Sequence, residues 1–192
     1  MDRIRLSEFS KFVGEDRAAV RTLITRYGSP IEKEREGEKQ RTYDGGDLLA
    51  WCLFTALRRV GLQSHVAGEA VRLSNVVAEF FHAMERGEDV SQFHLIAYGT
   101  RRDRGELGPL EIQHHEFGTP ADIARILQRE ADRYGAPDAS GRTCLGVTWQ
   151  IALPVMPCLD RCRSTADAYG FEMRGADLFE KPGPSLFGAE EG

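Results

Sequence analysis

The chain lacks any run of about 18 apolar residues, so no membrane-spanning helix is expected. It also lacks an excess of basic charge: 25 Lys and Arg stand against 30 Asp and Glu, a formal net charge of −5. Four cysteines, Cys52, Cys144, Cys158 and Cys162, are too few and too scattered for a disulfide framework. Cys52 sits in an apolar helical pattern and reads as core. Cys158 and Cys162, four apart, would share a helix face, but no second ligand pair accompanies them. Reduced, partly buried thiols are the expectation, with no metal site. No nucleophile elbow, phosphate loop or metalloprotease signature appears, and no internal repeat. His114 and His115 are adjacent, so on a strand they face opposite ways and do not readily chelate one ion. Nothing here supports catalysis, and no enzyme activity, catalytic residue or cofactor is expected. The opening "MDRIRLSEFS" has no apolar core of the secretory kind, which leads to the expectation of a cytoplasmic, nucleoid-associated protein.

What is present is a soluble globular composition, 41% hydrophobic and 29% charged, over 192 residues. That length suits one large domain or two small ones. The charge is unevenly spread. Residues 1–73 hold 13 Lys and Arg against 11 Asp and Glu, and the acidic excess falls in the remainder. An acidic total therefore does not exclude nucleic acid, because a basic face on a small module is what matters.

Periodicity predicts a short helix over residues 7–13, "SEFSKFV", with Ser7 as cap, Phe9, Phe12 and Val13 on one face, and Gly14 as its end. Residues 14–28, "GEDRAAVRTLITRYG", predict a second, capped by Glu15 or Asp16, with Val20, Leu23 and Ile24 buried and Gly28 closing it. Two short helices across a tight glycine-containing turn form a helix-turn-helix pattern. Residues 29–40 are charged or turn-forming and admit a short hairpin. Asp44 then caps a third helix, with Asp47 as capping-box partner. A helical pattern follows from Ser64 to Met84, as one helix or two with a break near Ser74 and Asn75.

The second half reads as mixed. "QFHLIAYGT" and "LEIQHHEF" are strand-like and "RRDRGELGP" is a loop between them. "TPADIARILQREADRYG" is helical, with Thr119 as cap and Pro120 in its first turn. "TCLGVTWQIALPV" is strand-like, with Val147, Trp149 and Ile151 alternating as core. "PCLDRCRSTADAYG" is a short helix, and the stretch from Gly175 mixes Gly, Pro and acid in the manner of a flexible tail.

The first 73 residues resemble the winged helix-turn-helix DNA-binding domain of the MerR-type regulators and their excisionase-like relatives. "IRLSEFSKFVGEDRAAVRTL" is similar to the opening helix-turn-helix of that family, "QRTYDGGDLLAW" to the Arg-x-Tyr that closes its wing, and "LRRVGLQSHVAGEAV" to its next helix pair. The chain departs from the family in having Thr22 and Leu23 where aromatics often follow the recognition-helix Arg. It also has no long polar dimerisation helix and no inducer-binding cysteine cluster.

The expected fold class is α+β: a winged helix-turn-helix over residues 1–75, a connecting or dimerisation helix over 76–89, a smaller mixed α+β dimerisation or effector domain over 90–174, and a flexible tail over 175–192. On the second helix Arg17 and Arg21 lie one turn apart, suited to base edges or phosphates in a major groove, with Thr22 beside them and Arg26 towards phosphate. Arg41 and Tyr43, two apart in an extended segment, would point the same way and donate to phosphate oxygens. The N–H groups opening the third helix would lie alongside, and Lys33, Arg35 and Lys39 would carry a wing's further charge. Val77, Phe80, Phe81 and Met84, with Val76, are the candidate pairing surface for a homodimer, or else pack on the C-terminal domain. The resulting expectation is a sequence-specific bacterial transcriptional regulator of double-stranded DNA. RNA polymerase or another protein is a further partner open to its C-terminal domain. An excisionase-like architectural protein and a ligand- or protein-binding sensor are the alternatives.

Overall fold

The computed structural model describes residues 3–25, 29–31, 42–103, 108–137 and 141–181. It is a mixed α+β protein. Strand β1 (Ile4–Arg5) leads directly into α1 (Leu6–Val13). Helix α1 starts just before the expected Ser7 cap, because the Arg5 backbone N–H donates to the Glu8 carboxylate at 2.8 Å. It ends where Gly14 takes φ 68°, a left-handed conformation glycine adopts without steric cost, and its N–H closes on the Lys11 carbonyl at 3.1 Å. After the turn at residues 14–16 comes α2 (Arg17–Thr25), its first N–H groups satisfied by the Asp16 carboxylate, at 2.8 Å from Ala18 N and 3.3 Å from Ala19 N.

Strand β2 (Thr42–Tyr43) pairs antiparallel with β1, Tyr43 opposite Ile4. Helix α3 (Gly45–Arg59) follows with the expected reciprocal cap of Asp44 and Asp47. Helices α4 (Ser64–Leu73) and α5 (Val76–Glu85) are separate. The break falls at Ser74 and Asn75, where Asn75 takes φ 54°.

The second half centres on a three-stranded antiparallel sheet in the order β4-β3-β5, with β3 (His94–Asp103), β4 (Leu110–Gly118) and β5 (Thr143–Pro154). Strand β3 runs on through Asp103, into the stretch expected as loop, because Arg101 and Arg102 keep their partners on β4. Helix α6 (Pro120–Asp132) lies on one face of the sheet, where Ile96 and Tyr98 meet Ile126. The other face, carrying Leu95 and Ala97, joins the large core beneath α4 and α5.

Helix α7 (Met156–Ala168) does not stay with the sheet. It packs along α3 and carries the hairpin β6 (Phe171–Arg174) and β7 (Asp177–Glu180) back to the N-terminal helices. Phe12 of α1 stacks on Tyr169 with ring centroids 4.8 Å apart. For residues 175–181 a packed hairpin stands where a flexible tail was expected from residue 175. The Ala176 carbonyl accepts from Gly45 N at 2.8 Å, and Leu178 is fully buried. Residues 182–192 lie outside the described residues. A single apolar cluster runs from Ile4 and Phe9 through Trp51, Phe80 and Leu95 to Leu159 and Leu178. The core therefore does not divide at residues 75 or 90.

Candidate nucleic-acid interface

Helix α2 touches the rest of the chain through a narrow stripe. Val20 and Ile24 are buried and Leu23 is partly so, while Arg17, Ala18, Ala19, Arg21, Thr22 and Thr25 are exposed. Arg17 and Arg21, four apart, project from one side of the helix. Among the described residues neither has a carboxylate partner. Thr22 is exposed, but its hydroxyl donates to the Ala18 carbonyl at 2.8 Å, leaving only its acceptor capacity and methyl group outward.

The segment ahead of α3 behaves differently from the sequence-based expectation. Tyr43 is 3% exposed and stacks on Phe9 with centroids 4.4 Å apart, in the same aromatic cluster as Trp51. It is a core residue and cannot reach a phosphate. The pairing of β2 with β1 fixes this, because the register that sets Tyr43 opposite buried Ile4 turns both inward. The opening of α3 is closed as well. Gly45 N and Gly46 N donate to the Ala176 carbonyl at 2.8 and 3.3 Å, and Asp47 N donates to Asp44 Oδ1 at 3.0 Å. Two carboxylates and a carbonyl occupy the place assigned to phosphate, which repels an anion. Arg26, Lys33, Arg35, Lys39 and Arg41 lie outside the described residues.

The pairing surface assigned to α5 is also corrected. Phe80 is fully buried against Phe81 and Phe117, and Phe81 is 5% exposed. Val77 and Met84 are half-buried against the same core. The helix spends its apolar face inside the chain, the alternative its composition left open.

Sequence reading missed two clusters. Between α6 and the sheet lies a polar network. Tyr98 donates to Glu116 Oε1 at 3.0 Å and accepts from Arg129 at 2.6 Å, and Arg129 pairs with Glu116 at 2.7 Å. Burial, reinforced by the Glu116 carboxylate, pushes the Tyr98 hydroxyl up to about 12. Glu130, 1% exposed, draws in Arg129 at 3.2 Å, Arg133 at 3.3 Å and buried Arg102 at 3.7 Å. His114 stacks on Tyr98 and shares a 2.9 Å hydrogen bond with Thr100. Burial holds His114 and His115 below the ordinary imidazole value. The two rings face opposite sides of edge strand β4, as their adjacency requires. One signal for this network was in the sequence: Glu130 falls four after Ile126 and seven after Ile123, on the buried stripe of α6.

The second is a set of cysteines: Cys52 on α3 and Cys158 and Cys162 on α7, 106 and 110 positions away, lie on two helices that pack against each other, Cys52 half-buried and the other two buried. Cys144 is buried elsewhere, opposite Arg102 in the sheet. No three His, Cys, Asp or Glu side chains among the described residues are placed to hold a metal ion. No helix of the described residues is long and apolar enough to cross a membrane. No family model matches the chain, and no curated protein matches it in sequence.

Proposed function

We propose that this chain is a sequence-specific double-stranded DNA-binding regulator of transcription, with α2 as the helix that enters the major groove. The observation that carries the reading is the outward face of α2. Arg17 and Arg21 stand one turn apart on a helix held by a narrow stripe, with no carboxylate partner among the described residues. A helix seated this way offers guanidinium groups whose forked donors match guanine edges and phosphates. The order of α1, turn, α2, β2 and α3, with β2 returned to β1, supports a winged helix-turn-helix.

The corrected residues narrow the proposal. Tyr43 and the opening of α3 take no part, so phosphate anchoring falls to α2 and to the expected contacts of Lys33, Arg35, Lys39 and Arg41. A single winged helix has a small footprint and gains affinity by pairing on a two-fold site, so the chain acts as a homodimer, through a surface other than α5.

The test is electrophoretic mobility on genomic fragments, at two salt concentrations. Arg17→Ala and Arg21→Ala each weaken specific binding by about 1–3 kcal/mol, the worth of one bidentate base contact, and each flattens the salt dependence. Tyr43→Phe leaves both unchanged. Binding by the Arg17→Ala/Arg21→Ala double variant equal to that of the native chain counts decisively against the proposal. Genome-wide occupancy upstream of promoters supports transcriptional control, whereas occupancy confined to attachment sites assigns the protein to recombination.

A further inference from the structure

Helix α6 carries two apolar stripes. Ile123 and Ile126 face the sheet, whereas Ala124, Leu127, Ala131 and Tyr134 are exposed. The exposed set recurs at steps of three and four, so it lines one side of the helix and of the turn that extends it. That side lies towards β5. The Tyr134 ring would stand 3.5 Å from a Cβ at Gly146, and Leu145 next to it is exposed as well. The other side of α6 is charged, with Arg129 tied to Glu116 of β4 at 2.7 Å. Tyr134 keeps 68% of its surface exposed, too much for a ring that has found its partner within the chain.

Strand β5 is an edge of the sheet, and it lacks what protects the other edge. Edge strands are commonly blunted by charge. Strand β4 has Glu111 and Glu116, whereas no Lys, Arg, Asp or Glu occurs from Thr143 through Leu159. The turn after α6 closes only the start of the β5 edge, where Gly135 N donates to the Cys144 carbonyl at 2.9 Å and Cys144 N to the Ala136 carbonyl at 3.1 Å. At the far end, Val155 N donates inward to the Phe93 carbonyl at 3.0 Å. Antiparallel ladders alternate, so Leu153 and Ile151 bond inward too, while Gln150 and Ala152 turn their N–H and C=O groups outward. Pro154 is outward by the same count, where its missing N–H costs the ladder nothing. Among the described residues nothing bonds the outward groups of Gln150 or Ala152.

We infer that β5 and this side of α6 are the pairing surface of a homodimer, in which two copies join their β5 strands antiparallel about a twofold axis at Ile151. Gln150 of each copy then stands opposite Ala152 of the other, and each such pair exchanges two backbone hydrogen bonds. The axis is normal to the sheet, so both α6 helices lie on one face and meet over the seam through Leu127 and Tyr134. Two features make a second copy the occupant. An edge of alternating donors and acceptors is complemented by the same edge run antiparallel, which is the isologous contact of a twofold dimer. Each chain also carries a formal charge of −5, yet this flank carries none, so two acidic copies meet here with no like charges opposed. The inference rests on the homodimer that the regulator reading asks for, and names its surface.

Analytical ultracentrifugation of the full chain, without DNA, tests this. The native chain is a dimer in the micromolar range. Leu127→Glu and Ala152→Lys, both at exposed positions, set charges into the seam and each weaken dimerisation by about thirtyfold or more, the loss of a hot-spot contact. Leu73→Glu, at an exposed apolar residue of α4, leaves it unchanged. Circular dichroism checks that the variants are folded, and Leu127→Glu on the outside of α6 carries the test should Ala152→Lys disturb its strand. Hydrogen exchange places the seam: the Gln150 and Ala152 amides exchange slowly in the native dimer and fast in Leu127→Glu, while Ile151 is slow in both. A native chain that is monomeric throughout the micromolar range, association that continues past the dimer, a dimer indifferent to Leu127→Glu, or fast exchange at Gln150 and Ala152 in the dimer overturns the inference. Arg17→Ala/Arg21→Ala stays dimeric. Pairing at this surface without DNA binding therefore refutes the regulator reading alone, and DNA binding by a chain that does not pair here refutes this inference alone.

Discussion

Tyr43 shows how one side chain changes role when its neighbours are known. In the sequence it stands two after Arg41 in an extended segment, and its hydroxyl is an apt phosphate donor. In the fold its ring stacks on Phe9, which in turn meets Trp51 edge-on. Tyr43→Ala is expected to cost about 3–5 kcal/mol, in line with removal of other buried aromatic rings, measured by chemical denaturation. Gly99 is constrained in the opposite sense. A Cβ there would fall on the Trp149 indole, whose N–H donates to Glu111 at 2.6 Å. Gly99→Ala therefore displaces the indole and costs about 1–3 kcal/mol of overpacking. The emission of a Trp51→Phe background, which isolates Trp149, reports the displacement directly.

At the scale of elements, α6 is held to the sheet by charge, through Arg102 of β3 and Glu116 of β4. Glu130 is buried with Arg102 and satisfies Arg129 and Arg133 at the surface. Removing one partner of a buried pair leaves the other charge uncompensated, so Glu130→Ala is expected to destabilise by about 3–5 kcal/mol. Replacing Arg133, whose side chain is 55% exposed, costs far less. The two histidines of β4 set a pH dependence. Burial lowers both folded values below the 6.5 of a free imidazole. Between the folded and unfolded values the unfolded chain binds more protons, so this contribution to stability is complete above pH 6.5. It is lost as pH falls below that value towards the folded pKa. Denaturant midpoints should decline from pH 7 to 5, and a His114→Gln/His115→Gln variant should decline less over the same interval. Equal slopes in the two proteins would exclude this source.

For the molecule as a whole, the decisive feature is that α7 and the β6–β7 hairpin close on the N-terminal helices, not on the sheet they follow. Leu178 sits in the same apolar cluster as Phe9 and Trp51, and Ala176 caps α3. A chain built this way has one cooperative unit. Variants carrying only Trp51, in α3, or only Trp149, in β5, should unfold with the same midpoint. Leu178→Ala should lower both together, by about 2–5 kcal/mol. Two separated fluorescence transitions would show that the halves unfold independently despite their shared core.

Most of the elements are legible in the residue order alone: the caps at Asp44 and Thr119, the glycine stop at Gly14, the break at Asn75, and strands at both edges of the sheet. These are local matters of hydrogen bonding, backbone conformation and apolar periodicity, and each is written within a few residues. The residue order also sets Arg17 and Arg21 on the polar side of α2, because helical period alone separates them from Val20 and Ile24. Which apolar face meets which is settled by the folded chain. Phe80 and Phe81 look alike whether they pair two chains or cover one sheet. Tyr43 is amphipathic until β1 turns it inward. Cys52 and the two cysteines of α7 lie more than a hundred residues apart, and only the packing of α7 along α3 puts them on neighbouring helices. Contacts of that separation depend on the path of the whole backbone, and no short window of sequence carries it.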